Sequence, residues 1–163
     1  RPTSDRARET IFNILNNYVS TYTELEVLDI FAGSGALGLE ALSRGASSAN
    51  FIEIDREAIH IIYENIAHLK VDDICKVSRL DARRLPIAYK KFDLIFMDAP
   101  YNKELTEKAL KELFEKAWIA PNALFIIETS INELPSFPSY LTLLNERHIG
   151  LARVFLLKFS SLQ

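Results

Sequence analysis

Five short apolar runs, separated by stretches of helical periodicity, confine this chain to a narrow set of folds, those in which helices cover both faces of a mostly parallel sheet. The runs cover residues 27–31, 49–54, 76–80, 92–97 and 123–128, and they are nearly continuous rather than alternating, as strands buried on both sides require. Ala58, Ile59, Ile62, Ile66 and Leu69 recur at helical spacing between the second and third runs. Leu105, Ala109, Leu110, Leu113 and Phe114 do the same between the fourth and fifth. Ahead of the first run, Ile11, Phe12, Leu15 and Tyr18 form an apolar stripe on a helix that Thr3, Ser4 or Asp5 can cap. After the fifth run Pro135 and Pro138 break the rhythm. Two further strands, 141–147 and 151–159, are joined only by residues 148–150, too short a link for a parallel crossover, so they must form an antiparallel hairpin. With no repeat or linker, and 48% apolar residues among 163, the expectation is one α/β domain spanning 1–163 around a seven-stranded sheet.

Several function classes fall away on composition. A single thiol, Cys75, cannot form an internal disulfide or a cysteine-rich zinc module. His60, His68 and His148 have no Cys or HExxH neighbour, so no metal is expected. The longest apolar run, 123–127, is far short of the roughly 20 residues needed to cross a bilayer, which predicts a cytoplasmic chain without membrane contact. A net charge of -3 argues against binding nucleic acid over the whole surface and leaves room for a local basic patch.

The turn after the first strand carries the first chemical signal. Phe31-Ala32-Gly33-Ser34-Gly35 leads into a helix through Gly38, and glycines there let backbone approach a ligand at the carboxyl edge of the sheet. Glu53 ends the second strand about 20 residues later, where a carboxylate can accept ribose hydroxyl protons. By spacing alone Gly33, Gly35 and Gly38 also suit a nicotinamide or flavin cofactor. Asp29 separates the two, because a carboxylate inside the strand is expensive to bury and is better matched to a cationic ligand than to a pyrophosphate. Two readings of Asp29 stand: it faces such a cation, or it caps nearby backbone amides. Asp81 likewise either accepts from an adenine amine or serves only the turn after the third strand. The expected antiparallel ending resembles the fold of AdoMet-dependent methyltransferases, whereas a dinucleotide-binding sheet continues to a sixth parallel strand.

The fourth strand runs directly into Asp98-Ala99-Pro100-Tyr101. This tetrad is similar to the Asn/Asp-Pro-Pro-Tyr/Phe motif of amino methyltransferases, and the chemistry explains its residue types. The lone pair of an exocyclic base amine is delocalised into the ring. A carboxylate oxygen of Asp98 and the main-chain carbonyl of Ala99 can accept the two amine hydrogens and turn that pair toward an electrophile. Tyr101 would stack on a base drawn out of its helix or loop.

With those residues in view, nearly the whole chain resembles the RsmD family of bacterial 16S rRNA guanine-N2 methyltransferases. The likeness rests on Arg1-Pro2-Thr3-Ser4-Asp5-Arg6-Ala7-Arg8-Glu9-Thr10-Ile11-Phe12-Asn13 and on the unbroken stretch 28–46. The resemblance implies a class I, Rossmann-like fold and S-adenosyl-L-methionine (AdoMet) as cofactor, with S-adenosyl-L-homocysteine as product. It implies a cofactor site at Asp29, Gly33, Gly35 and Glu53, with Asp81 near the adenine. Phe31, Ala32, Ser34, Gly38, Ile54, Ala82 and Asp98 complete the expected set. Asp98, Ala99, Pro100 and Tyr101 are expected at the reacting amine. Arg1, Arg6, Arg8, Arg83 and Arg84 are the expected RNA contacts, and the partner is 16S rRNA in the small subunit or an assembly intermediate, met by a monomer. Ala99 stands where the family usually has proline, and the family's basic N-terminal hairpin is absent from this sequence, which starts at Arg1. Adenine-N6 methylation and a catalytically silent AdoMet-binding assembly factor remain alternatives.

Overall fold

The structure is a computed structural model and describes residues 3–100, 103–133 and 135–160. It contains α1 (Asp5–Leu15), β1 (Glu26–Ile30), α2 (Ala36–Ser43), β2 (Ser48–Glu53), α3 (Arg56–Leu69), β3 (Cys75–Arg79), β4 (Phe92–Asp98), α4 (Lys103–Glu115), β5 (Ile119–Ser130), β6 (Leu141–Ile149) and β7 (Ala152–Phe159). A short 3-10 turn, Asp72–Ile74, precedes β3. Local chemistry sets the helix starts: Ser4 Oγ accepts from Ala7 N at 3.1 Å and Asp55 Oδ2 accepts from Ala58 N at 2.9 Å, each satisfying an N–H with no partner inside its helix.

The strands form one sheet in the order β3-β2-β1-β4-β5-β7-β6. Pairing is parallel from β3 through β5; β7 alone runs against its neighbours, antiparallel to both β5 and β6. Successive side chains point to opposite faces, so each central strand feeds two cores. Leu28, Ile30, Ile95, Met97, Phe125 and Ile127 pack with Ala109, Leu110 and Leu113 of α4. Val27, Leu94, Phe96 and Ile126 pack instead with Ile11, Phe12 and Leu15 of α1, Leu37, Leu39 and Ala41 of α2, and Ile62 and Ile66 of α3. The helices are therefore unevenly divided, and Leu85, Tyr140 and other residues of the connecting loops complete the α4 face. β5 begins earlier than the apolar run predicts. The extra residues include Pro121 and Asn122, the latter at φ 63°, and the β4–β5 register shifts between Phe92 and Leu94 to take them in.

This alternation positions the chemistry. Asp29, Asp98 and Glu128 stand two residues after Val27, Phe96 and Ile126, so all three fall on the α1–α2 face near the carboxyl ends of β1, β4 and β5.

Candidate active site

A cavity of about 470 Å³ opens at the carboxyl edge of the sheet, and eleven of the residues expected at the cofactor and the reacting amine line it: Asp29, Phe31, Ala32, Gly33, Ser34, Glu53, Ile54, Asp81, Ala82, Asp98 and Pro100. The turn that forms its floor is held from three sides. Gly35 N donates to Ala32 O at 2.8 Å, Ala32 N donates to Ile52 O at 3.1 Å, and Asn65 of α3 donates from Nδ2 to Ser34 O at 3.0 Å. Phe31 leaves β1 at φ 61°, a left-handed conformation that strains a bulky residue by about 1–3 kcal/mol.

Glu53 is fixed by its own surroundings. Oε1 accepts from Gly33 N at 2.8 Å, and Oε2 accepts from Ile54 N and Asp55 N at 2.9 Å each. A carboxylate has about four acceptor positions, so one remains toward the cavity. Asp29 is buried and its Oδ2 accepts from Gly38 N at 3.0 Å. Burial pushes its carboxyl up to about 8 against the opposing pull of that N–H, and the charges of Asp98 and Glu53 add to the rise. The backbone-capping reading of Asp29 is thus realised, on a residue that also lines the cavity.

Gly35 and Gly38, expected in contact with a cofactor, do not line the cavity. They let α2 lie close on β2: a Cβ at Gly38 would stand 2.6 Å from Phe51 Cε1, and Gly35 turns into the helix at φ 80° with its own Cβ position 3.1 Å from the same ring atom. Asp81 lines the cavity, but Arg83 grips it, with Nε on Oδ1 at 3.0 Å and Nη2 on Oδ2 at 2.9 Å. That side chain, with a bond from Arg83 N, holds the Asp81 carboxyl down at about 2. The loop carrying both is moored to α4 through Leu85 N donating to Glu112 Oε1, and to the link between α4 and β5 through Trp118 Nε1 donating to Pro86 O.

Beyond Asp98 lies a second, larger depression of about 850 Å³, bounded by the start of α1, the ends of β4 and β5, and the tip of the β6–β7 hairpin. Asp98 and Thr3 line both spaces. Ala99 is buried beside them, while Tyr101 falls outside the described residues. Of the arginines expected on RNA, Arg6 lines this groove and Arg83 the cavity, whereas Arg8 is engaged by Asp5 and Glu40 at 2.9 and 3.3 Å. Arg84 is exposed next to Arg83, and Arg1 falls outside the described residues. Sequence reasoning missed Glu128, Ser130 and Arg147 in the groove and Leu105 and Lys108 in the cavity, and it treated His148, another groove residue, as ordinary. Only Glu128 carried a signal, an acid closing an apolar run just as Asp98 does.

Elsewhere, burial pushes the half-buried Cys75 thiol up to about 11, with Asp72 and Asp73 adding to the shift, so it is protonated and unreactive at neutral pH. No helix among the described residues is long and apolar enough to cross a membrane, and no cluster of three or more His, Cys, Asp or Glu among them is placed to hold a metal ion.

The sheet order, the single reversed strand and the cavity at the carboxyl edge define a class I methyltransferase fold. More narrowly, the chain belongs to the RsmD family: the family described as Conserved hypothetical protein 95 matches residues 1–158. It is 39% identical to Ribosomal RNA small subunit methyltransferase D of Haemophilus influenzae, over 93% of this chain and 79% of that one. The protein of the same name from Escherichia coli is 38% identical, over 92% and 75%. Among solved structures, the Escherichia coli protein named "Putative methyltransferase yhhF" superposes with a TM-score of 0.87 at 36% identity, covering 98% of this chain and 87% of its own. An RNA methyltransferase of Salinibacter ruber, solved with S-adenosyl-L-homocysteine, shares the fold at a TM-score of 0.74 and 14% identity, covering 100% and 96%.

Proposed function

We propose that the protein transfers a methyl group from AdoMet to the exocyclic N2 amine of one guanine in 16S rRNA, leaving S-adenosyl-L-homocysteine. Methyl transfer to ribosomal RNA is the activity its relatives are named for. The guanine, its N2 atom and the 16S target are supported by the likeness of residues 1–13 and 28–46 to the family's signatures. The single observation that carries the mechanism is Asp98, which lines both the cavity and the groove and so stands where a donor and an acceptor held in the two spaces would meet.

The cavity suits AdoMet better than a dinucleotide. Glu53, Asp81, Asp98 and Glu104 line it against Arg83 and Lys108, an acidic surround that repels a pyrophosphate and attracts an ammonium and a sulfonium. When bound, AdoMet supplies an electrophilic methyl on sulfur. Glu53, oriented by three N–H groups, accepts from the ribose; Asp29 faces the cationic end; Asp81 accepts from the adenine amine while sharing Arg83. The Asp98 carboxylate and the Ala99 carbonyl would accept hydrogen bonds from the two hydrogens of the target amine, localising its lone pair for in-line displacement; the one proton shed by the methylated amine passes to the Asp98 carboxylate and on to water, so positioning and electrostatics do most of the catalysis. Pro100 shapes the cavity rim and Tyr101 stacks on the base. Arg6, Arg83 and Arg84, with Arg1 ahead of α1, hold RNA phosphates; Arg8 serves first to tie α1 to α2.

Transfer of labelled methyl from AdoMet to small subunits purified from a strain lacking the corresponding enzyme tests this, with naked 16S rRNA and DNA in parallel. N2-methylguanosine at a single site is the expected product. N6-methyladenosine would replace the proposal with its adenine alternative, and AdoMet binding without transfer to any substrate would leave a silent binding protein.

A further inference from the structure

Guanine and adenine differ along the edge that an amino methyltransferase must grip. Guanine presents three donor hydrogens in a row, one on N1 and two on the N2 amine. Adenine presents two on its N6 amine and a bare acceptor at N1. Asp98 and the Ala99 carbonyl account for an amine's two hydrogens with either base, so selection falls to whatever meets N1.

The groove holds a group suited to that task. In the parallel β4–β5 pair Asp98 lies directly beside Glu128, and neighbouring strands run about 4.8 Å apart. Both residues sit on the α1 face, two positions beyond the buried Phe96 and Ile126. Both line the groove, and they are the only described carboxylates that do. They differ in one respect: Asp98 also lines the cavity, whereas Glu128 does not. Glu128 is therefore set on the substrate side of Asp98, one strand farther from the cavity, near enough for the two side chains to converge on neighbouring groups of one base edge. Arg6 of α1 and Arg147 of β6 line the same groove and are placed for the phosphates around an extruded nucleotide.

We propose that Glu128 selects guanine by accepting the N1–H of the target base. This rests on the reading of the reaction as guanine-N2 methylation and adds the residue that enforces it. Against guanine, the three acceptors meet three donors. Against adenine, the half-buried Glu128 carboxylate faces the N1 lone pair with no hydrogen between them, so two acceptors repel where guanine offers a donor, a mismatch that a site built to hydrogen-bond its substrate discriminates strongly.

The test uses 2-aminopurine, which keeps the C2 amine but has a bare N1. Small subunits reconstituted with guanine or 2-aminopurine at the target position are methylated by the unsubstituted protein and by Glu128→Gln, and kcat/KM is measured for each. The unsubstituted protein should prefer guanine by about ten- to a hundred-fold. Glu128→Gln keeps the side-chain size but presents an amide that can donate to a bare N1, so the preference should shrink to about three-fold or less. The drop should appear as lost guanine kcat/KM and gained 2-aminopurine kcat/KM, a crossing that a misfolded or loosened variant does not produce. An unchanged preference in Glu128→Gln, or an equal loss on both substrates with unaltered AdoMet affinity, overturns the role of Glu128. A product other than N2-methylguanosine from the unsubstituted protein overturns the underlying reading, and it is recognised before any variant is made.

Discussion

The cavity and the groove share Asp98, but they are built in opposite ways. The cavity is framed largely by backbone: the turn after β1 and the end of β2 are tied to one another by main-chain N–H groups, with Glu53 accepting three of them, and Arg79 Nε reaches across from β3 to Ile54 O at 3.0 Å. The groove is framed by side chains from segments far apart in sequence, the first turn of α1, two neighbouring strand ends and the tip of a hairpin. A backbone-framed site is specified by where a few glycines and acids fall in a short stretch, whereas a side-chain-framed site depends on how distant elements register. The first kind accepts one ligand shape; the second can be retuned by single substitutions.

The sharpest way to break this division is at the residue common to both spaces. Asp98→Ala should lower methyl transfer by about a hundred-fold or more while leaving AdoMet affinity within a few-fold. Transfer rates measured beside a binding isotherm decide it, and near-normal turnover would remove Asp98 from the reacting amine. Next in size, Glu53→Ala should weaken AdoMet about ten-fold, as loss of a charge-assisted hydrogen bond does, with kcat at saturating AdoMet little changed. An unaltered dissociation constant would detach Glu53 from the ribose.

Asp29 gives a prediction about the cavity alone. The folded protein holds the Asp29 proton up to about pH 8, whereas an unfolded carboxyl of ordinary value near 3.8 releases it earlier. Between those values the unfolded state binds fewer protons, so Asp29 lowers stability progressively as pH rises, and its penalty levels off above about 8. Asp29→Asn should therefore be more heat-stable than the parent without ligand, by a margin small near pH 4 that grows toward pH 8. A difference in melting temperature that stays flat with pH would mean that Asp29 is charged in the folded state. The smallest effect is expected from Ala99→Pro, which should keep or modestly raise activity by stiffening the turn while preserving the carbonyl that matters. A large loss in the same assay would show that the backbone after β4 departs from the path proposed for it.

The same division explains what was legible in the sequence. All seven strands and the reversed ending were readable because long apolar runs and a three-residue link leave few alternatives. Most cavity residues were readable because they follow strand ends at fixed spacing. Gly35 and Gly38 fall outside the cavity lining, since a glycine that admits a ligand and one that admits a phenylalanine ring look alike in sequence, and the approach of Phe51 shows the second at both positions. Glu128 was visible as a strand-end acid, but its place beside Asp98 came only from the β4–β5 register. The early start of β5 was hidden by Pro121 and Asn122, which lie outside the apolar run and are absorbed by a shift in register.

The position of α1 also sets an order of events during synthesis. Phe12 packs against Phe96 of β4 with ring centres 5.7 Å apart, Ile126, Val154 and Leu156 share its core, and Tyr18, just past the helix, donates to Leu144 O of β6 at 3.2 Å. The helix leaves the ribosome well before these contacts exist, so it must wait while β1 through β4, which already supply most of the cavity, emerge and pair. The groove closes only when the final hairpin arrives. A nascent chain can thus form the cavity before it can form the groove, because the cavity takes no lining from the final hairpin.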